Sequence, residues 1–370
     1  MASLLLIAGE LSGDRYGAAL AVRLKTLDPT LHLTASGGPQ LQAVADVFLD
    51  NIAHESAVGL KEQLWKRSVY TRFYDRLKTH LQTHKPDQAV IVDFPHHNEA
   101  IAAILKAAGI PIVTYITPHF WIWKDLKKAK KLVGYSDTII TIFEPEYRFY
   151  KTHFPTADVR YFGHPLVAMV QPSPSEWKGR QLTLFPGSRQ QELDLLLKPM
   201  LSTAKAFLNR HPDVNCTLAV SDPAFEVTLS KAIEAMGLPI SLYRESDKAP
   251  LLSRSDWVLC ASGSTTLEVL LYRKPMVILG ALPPLTYFVA KYLLRIHIPW
   301  VSLPNIVAGH QAIPEFVQRF NPQKIADTLG SFSEMTARTR YLQTADSLVV
   351  QLSPTSDPIL EAAKSLLNKK

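Results

Sequence analysis

Short apolar runs and helical stretches alternate along this chain, and the alternation halts once and then begins again. "SLLLIAG" precedes the helical pattern "RYGAALAVRLKTL", and "QAVIVDFP" precedes "HNEAIAAILKAAG". "PIVTYIT" follows, and "DTIITIF" leads into "EPEYRFYKTHF". Parallel strands need a long crossover between them, usually a helix, so a series of this kind specifies a parallel sheet covered by helices. The series restarts at "QLTLFPGSR" and continues through "NCTLAVS", "DWVLCASGS" and "PMVILGA". Between the two sets lies "GHPLVAMVQPSPSEWKGR", where Pro165, Pro172 and Pro174 mark a linker. The expected fold class is α/β, with two doubly wound domains facing across a cleft. The expected boundaries are 1–165 and 166–345, with a helical tail at 346–370. A chain of 370 residues with 47% apolar and 20% charged side chains suits two such domains.

Several function classes fall away. Cys216 and Cys260 stand in no metal-binding or redox spacing. The start "MASLLLIAGELSGD" has no basic leader region and reads as a strand. The longest apolar window, "MVILGALPPLTYFVAKYLL", is broken by Pro283 and Pro284, so no membrane span is expected. The net charge of +7 concentrates in "KDLKKAKK" and "KEQLWKRSVYTRFYDRLK". No zinc finger, RNP sequence or helix-turn-helix accompanies that charge, which disfavours nucleic acid. The alternatives are solvated helix faces and an anionic membrane surface. In "SAVGLKEQLWKRSVYTRFYDRL", Val58, Leu60, Leu64, Trp65, Val69, Tyr70 and Phe73 mix with Lys61, Lys66, Arg67, Arg72 and Arg76, a composition able to lie in a bilayer interface.

Ligands of doubly wound sheets bind beyond the carboxyl ends of the strands, and there the sequence is least ordinary. "FPGSRQQEL" brings Gly187, Ser188 and Arg189 to a helix start. Glycine allows close approach, helix amides attract anions, and arginine adds a forked cation. The plainer alternative is a turn capped by Ser188 and answered by Gln191 or Glu192. In "ASGSTTLEVLLYRKP", Ser262, Gly263, Ser264, Thr265 and Thr266 can ring a diphosphate, and Glu268 can accept from a ribose diol. Neither a P-loop nor a dinucleotide fingerprint is present. At the first strand, "GELSGDRYGAAL" sets Gly9, Gly13 and Gly17 four apart, with Glu10, Ser12 and Asp14 expected to offer polar groups at the cleft. The alternative there is a helix capped by Ser12 or Asp14. In "TPHFWIW", Phe120, Trp121 and Trp123 suit either a cleft wall or the core.

These segments, with "WVSLPNIVAG", resemble in order the motif series of the lipid-A-disaccharide synthase family, from the first strand to about residue 318. The resemblance implies an inverting, metal-independent GT-B glycosyltransferase with two Rossmann-like domains and no cofactor. Its substrates would be UDP-2,3-diacylglucosamine and 2,3-diacylglucosamine 1-phosphate, joined through a β-1,6 link with release of UDP. It places the acceptor in the first domain and UDP in the second, at Gly187, Ser188, Arg189, Ser262–Thr266 and Glu268. It assigns catalytic-site roles to Glu10, Ser12, Asp93, His96 and Asn305. The expected location is cytoplasmic, peripheral on the inner face of the cytoplasmic membrane; a homodimer is compatible with the sequence, which does not fix the oligomeric state.

Two departures stand out. Where the family reads Asp-x-Pro-Asp-Phe-Asn this chain reads "DFPHHN": Asp93, Pro95 and Asn98 match, and His96 replaces the family's favoured general base. His310–Gln311 stands where the family tends to have Arg-Glu. Imidazole serves as a base near neutral pH, so His96 is the expected proton acceptor, with His97 and Glu10 as alternatives. A related enzyme with another acceptor, or an inactive UDP- or lipid-binding homologue, are the competing functions.

Overall fold

Most inner strands of both sheets are largely apolar runs, as burial on two faces demands, while the inner strand His32–Gly37 (HLTASG) is buried without being one. The computed structural model describes residues 2–53, 63–94, 97–172, 176–245, 247–283 and 300–368, with side chains left aside at 63–69. The chain divides into two units, Met1–Met169 with Gln351–Lys370, and Val170–Val350.

The first unit contains β1 (Ser3–Ala8), β2 (His32–Gly37), β3 (Val47–Asn51), β4 (Gln88–Val92), β5 (Ile112–Tyr115), β6 (Thr138–Thr141) and β7 (Val159–Tyr161). They form one sheet of order β3-β2-β1-β4-β5-β6-β7, parallel at every pairing. The second unit contains β8 (Gln181–Phe185), β9 (Asn215–Ala219), β10 (Ile240–Tyr243), β11 (Trp257–Ala261), β12 (Met276–Gly280) and β13 (Glu315–Val317). Their order is β10-β9-β8-β11-β12-β13, again all parallel. Each order reverses direction beside its first strand, between β1 and β4 and between β8 and β11. Those reversals are where such sheets open a crevice for ligands.

Helices cover both sheets. The helix Leu11–Leu27 lies close on β1 because Gly17 carries no side chain: a Cβ there would come within 2.9 Å of Leu6 Cδ2. The helix Pro358–Leu367 packs on the same helix. Its capping residue Asp357 accepts from Leu360 N and also from Arg23 Nε at 3.1 Å, so the end of the chain belongs to the first unit.

The described part of the helix Gln63–Thr83 is an ordinary amphipathic cover. Phe73, Leu77 and Leu81 are buried with Ile7, Ile91 and Ile101, Tyr70 packs against that cluster, and Arg72 and Arg76 face water. Phe73 and Tyr70, expected at a bilayer interface, are therefore core-packing residues. Val58, Leu60 and Lys61 lie outside the described residues, and Leu64, Trp65, Lys66, Arg67 and Val69 outside the described side chains. "KDLKKAKK" is a solvated face on the helix Leu126–Tyr135, which buries only Ala129 and Leu132. Of the aromatic trio, Trp121 is buried against Phe143 and Phe120 packs on a core cluster, while Trp123 is 51% exposed.

Candidate functional site

At the first reversal the loop after β1 presses onto the loop after β4. A Cβ on Gly9 would lie 1.7 Å from the Phe94 ring, and one on Gly13 would lie 3.1 Å from Val92 O. Glycine is required at the first of these positions for close approach. The helix starts at Leu11 with Glu10 as its N-cap residue, and neither Ser12 nor Asp14 caps it. Ser12 Oγ donates to Asp93 Oδ2 at 3.0 Å. Asp93 has φ 42° and Ile116, at the end of the adjacent β5, has φ 64°. A left-handed β-branched residue is strained, and such strain collects at functional sites.

Asp14 does not reach this site. Its buried carboxylate accepts from Gly38 N at 2.7 Å, Gln40 N at 3.0 Å and Leu41 N at 3.0 Å, tying the first helix to the turn after β2. His97 is also held by the fold: its Nδ1 is 2.5 Å from Tyr74 Oη and its ring lies 3.7 Å from that of Tyr70. Pro95 and His96 lie outside the described residues.

Behind Asp93 sits a cluster of titratable groups. His119 meets solvent yet is ringed by protein atoms; desolvation lowers its pKa, and the Asp93 carboxylate opposes that effect. Burial pushes His164 down to about 3, with His119 adding to the shift. Its Nδ1 accepts from Leu166 N at 3.2 Å, so the ring is neutral with its proton on Nε2. Burial raises Glu146 from 4.5 to about 7, against the opposing effect of Thr117 Oγ1 and the amides of Ile142 and Phe143, all of which donate to it.

A carboxyl that holds its proton more tightly in the folded than in the unfolded chain favours folding while protonated. The contribution is present below about 4.5 and disappears as pH rises through about 7, which costs about 3 kcal/mol. Urea unfolding should show this fall in the wild type and lose it in Glu146→Gln; parallel pH profiles would exclude it.

At the second reversal the phosphate-like loop is capped by its own helix. Arg189 is the N-cap residue of the helix Gln190–Leu208, and the Glu192 carboxylate accepts from Ser188 N at 2.7 Å and Arg189 N at 3.3 Å. The capping alternative formed, with Arg189 rather than Ser188 in the cap position. Gly187 has φ 110°, and a Cβ there would come within 2.3 Å of Glu192 Oε2. What faces outward is the Arg189 side chain, 75% exposed.

The loop after β11 is more open. Gly263 has nothing within 4 Å of a built Cβ, and Gly263 and Ser264 are exposed. Ser262 Oγ donates to Val301 O at 2.8 Å and Thr266 Oγ1 to Gly263 O at 2.6 Å, so these two hydroxyls shape the loop. Glu268, on the helix Thr265–Leu271, is 6% exposed and pairs with Lys248 Nζ at 3.0 Å. Lys248 also donates to Thr265 Oγ1 at 3.0 Å.

Asn305 lies inside the second unit, fully buried. Its amide donates to Ile313 O and Glu315 Oε2 and accepts from Ala312 N and Ile313 N. Glu315 in turn accepts from Val301 N and Ser302 N. Asn305 thus stabilises the segment whose Val301 carbonyl receives Ser262, and every polar atom of its side chain is engaged within the protein. His310 is exposed, with Nδ1 at 3.0 Å from Ala308 O. Among the described residues no three His, Cys, Asp or Glu side chains are gathered as metal ligands.

The sequence model of the family described as Lipid-A-disaccharide synthetase matches residues 4–352. The chain belongs to the lipid-A-disaccharide synthase family. It is 32% identical to the lipid-A-disaccharide synthase of Geobacter metallireducens, covering 90% of this chain and 88% of that one. It is 33% identical to that of Coxiella burnetii strain CbuK_Q154, covering 88% and 87%. Among solved structures, a Neisseria meningitidis UDP-GlcNAc 2-epimerase bound to UDP-GlcNAc superimposes with TM-score 0.62 at 14% identity, covering 99% of this chain and 98% of that one. Arabidopsis thaliana UGT89C1 gives 0.63 at 14%, covering 98% and 99%. At such identities the likeness shows the fold alone: two Rossmann-like units of the GT-B class.

Of the residues the sequence singled out, Glu10, Ser12 and Asp93 stand at the first reversal and Gly187–Arg189, Ser262–Thr266 and Glu268 at the second. Asp14 and Asn305 are turned inward, and His96 lies outside the described residues. Four residues near these loops were not singled out by the sequence: His119, Glu146, His164 and Lys248. His119 and Glu146 stand in quoted motifs, "TPHFWIW" and "EPEYRFYKTHF", yet only the folded chain surrounds both with protein. Lys248 bears no local signal at all.

Proposed function

We propose that this chain transfers 2,3-diacylglucosamine from UDP-2,3-diacylglucosamine to the 6-hydroxyl of 2,3-diacylglucosamine 1-phosphate, with inversion and release of UDP. The observation that carries this reading is the membership of the lipid-A-disaccharide synthase family over residues 4–352. The two strand-order reversals, one rich in acid and imidazole, the other in small hydroxyl residues, agree with it.

In this reading the first unit holds the acceptor. His96 takes the proton from the attacking hydroxyl as the new bond to the anomeric carbon forms, and Asp93, fixed by Ser12, orients that base. Glu10 stands at the same loop. The second unit holds UDP. The Gly263 and Ser264 amides and the Ser264 hydroxyl face the diphosphate, and Glu268 accepts from the ribose diol. The exposed Arg189 guanidinium offsets charge on the departing diphosphate. None of these steps calls on a metal.

Incubating the purified protein with both lipid substrates should release UDP and disaccharide. Release with another acceptor only would favour a related enzyme, and UDP binding without turnover an inactive homologue. No helix among the described residues is long and apolar enough to cross a membrane. The same reading therefore has the protein meet its lipid substrates peripherally, at an anionic inner-face bilayer surface, through the segment around Trp65. Partition onto anionic vesicles that is indifferent to salt and to Trp65→Glu would remove that contact.

A further inference from the structure

Glu268 is the most enclosed carboxylate of the second strand-end loop, 6% exposed. An ionised carboxylate in such a place is costly unless a cation and hydrogen bonds compensate it. The compensation comes from elsewhere in the chain. Lys248 follows β10 and immediately precedes the short helix Ala249–Arg254, and its Nζ sits 3.0 Å from both Glu268 Oε2 and Thr265 Oγ1. An ammonium has three N–H donors, and two of them are directed at this loop. The Lys248 side chain is 32% exposed, so the pair opens to solvent on the lysine's side.

Cys260 and Tyr272 are held in their neutral forms, chiefly by burial. Asp247 and Glu192 add negative charge nearby, the first felt at Tyr272 and the second at Cys260. Glu192 has its own partner in Arg189 at 3.6 Å, and Lys248 is the cation in contact with Glu268 at 3.0 Å.

We propose that Lys248 is a positioning residue of the nucleotide seat, aiming the Glu268 carboxylate so that it accepts both hydroxyls of a ribose diol. This rests on the placement of UDP at the loop after β11. Without the ammonium, burial favours the protonated carboxyl, which donates one hydrogen bond and accepts poorly. Nucleotide binding then acquires a pH dependence that the intact pair suppresses, with the deficit largest at low pH.

The test is UDP titration by calorimetry at about pH 6 and about pH 8, using wild type, Lys248→Met, Lys248→Arg, Glu268→Gln and the double variant Lys248→Met/Glu268→Gln. Lys248→Met should weaken UDP about tenfold at the lower pH, and the loss should shrink at the higher one. Lys248→Arg should bind as wild type does. In the Glu268→Gln background, Lys248→Met should add little. An unchanged affinity, a loss equal at both pH values, or a full loss in the Glu268→Gln background overturns the role of Lys248. Glu268→Gln binding UDP as wild type does would instead overturn the placement of the nucleotide.

Discussion

Replacing His96 by alanine should lower turnover by about 10²–10⁴, the usual worth of a positioned general base, while UDP affinity stays unchanged. The loop that carries His96 is anchored on both sides. Asp93 on one side receives the Ser12 hydroxyl, and His97 on the other is held by Tyr74 and Tyr70. His97 is thereby committed to the fold, while His96 lies outside the described residues. His96→Asp should restore part of the rate, since a carboxylate at that position is the family's own arrangement. Wild-type turnover should also fall as pH drops through the range where a histidine protonates. An alanine variant with wild-type turnover would shift proton acceptance to another group, with Glu10 and the solvent-open His119 the next to be replaced.

Asp14→Ala should destabilise the first unit by about 3–5 kcal/mol, more than any other single carboxylate change considered above. Three backbone amides, of Gly38, Gln40 and Leu41, converge on this one buried side chain. Alanine leaves all three without an acceptor, those of Gly38 and Leu41 in buried positions, and each buried orphaned donor costs about 1–3 kcal/mol. Asp14→Asn retains one acceptor oxygen but turns a donor toward N–H groups, so it should fall between wild type and alanine. The midpoint of urea unfolding should move with an unchanged slope if the native packing alone is affected. A shift below about 1 kcal/mol would mean that the turn after β2 finds other partners.

These two residues show what a linear reading captures. Most inner strands were legible because burial on two faces forces largely apolar runs, as in β1, β4, β5, β6, β11 and β12, but the inner strand β2, HLTASG, was not. β3, β10 and β13 are edge strands, mostly half-buried, and β7 has three residues, so nothing periodic announces them. The strand-end loops were legible as places. The direction of a side chain within them was not: the Asp14 carboxylate is indistinguishable in sequence from one aimed at a ligand. Its partners lie 24 to 27 positions away. Asn305 is the same case, with its partners on 312–315. Arg189 illustrates a different ambiguity, since a helix cap and an anion site use the same amides and Glu192 has taken them.

The docking of Pro358–Leu367 on Leu11–Leu27 has a consequence for biogenesis. A ribosome delivers the helix Leu11–Leu27 long before the surface that covers it, which arrives with Pro358–Leu367, and Gln88 waits for the Leu366 carbonyl at the same time. The second unit, Val170–Val350, is complete before that segment emerges. Synthesis order and completion order are thus reversed: the first unit is begun before the second and completed after it, and its closure joins residues 334 positions apart.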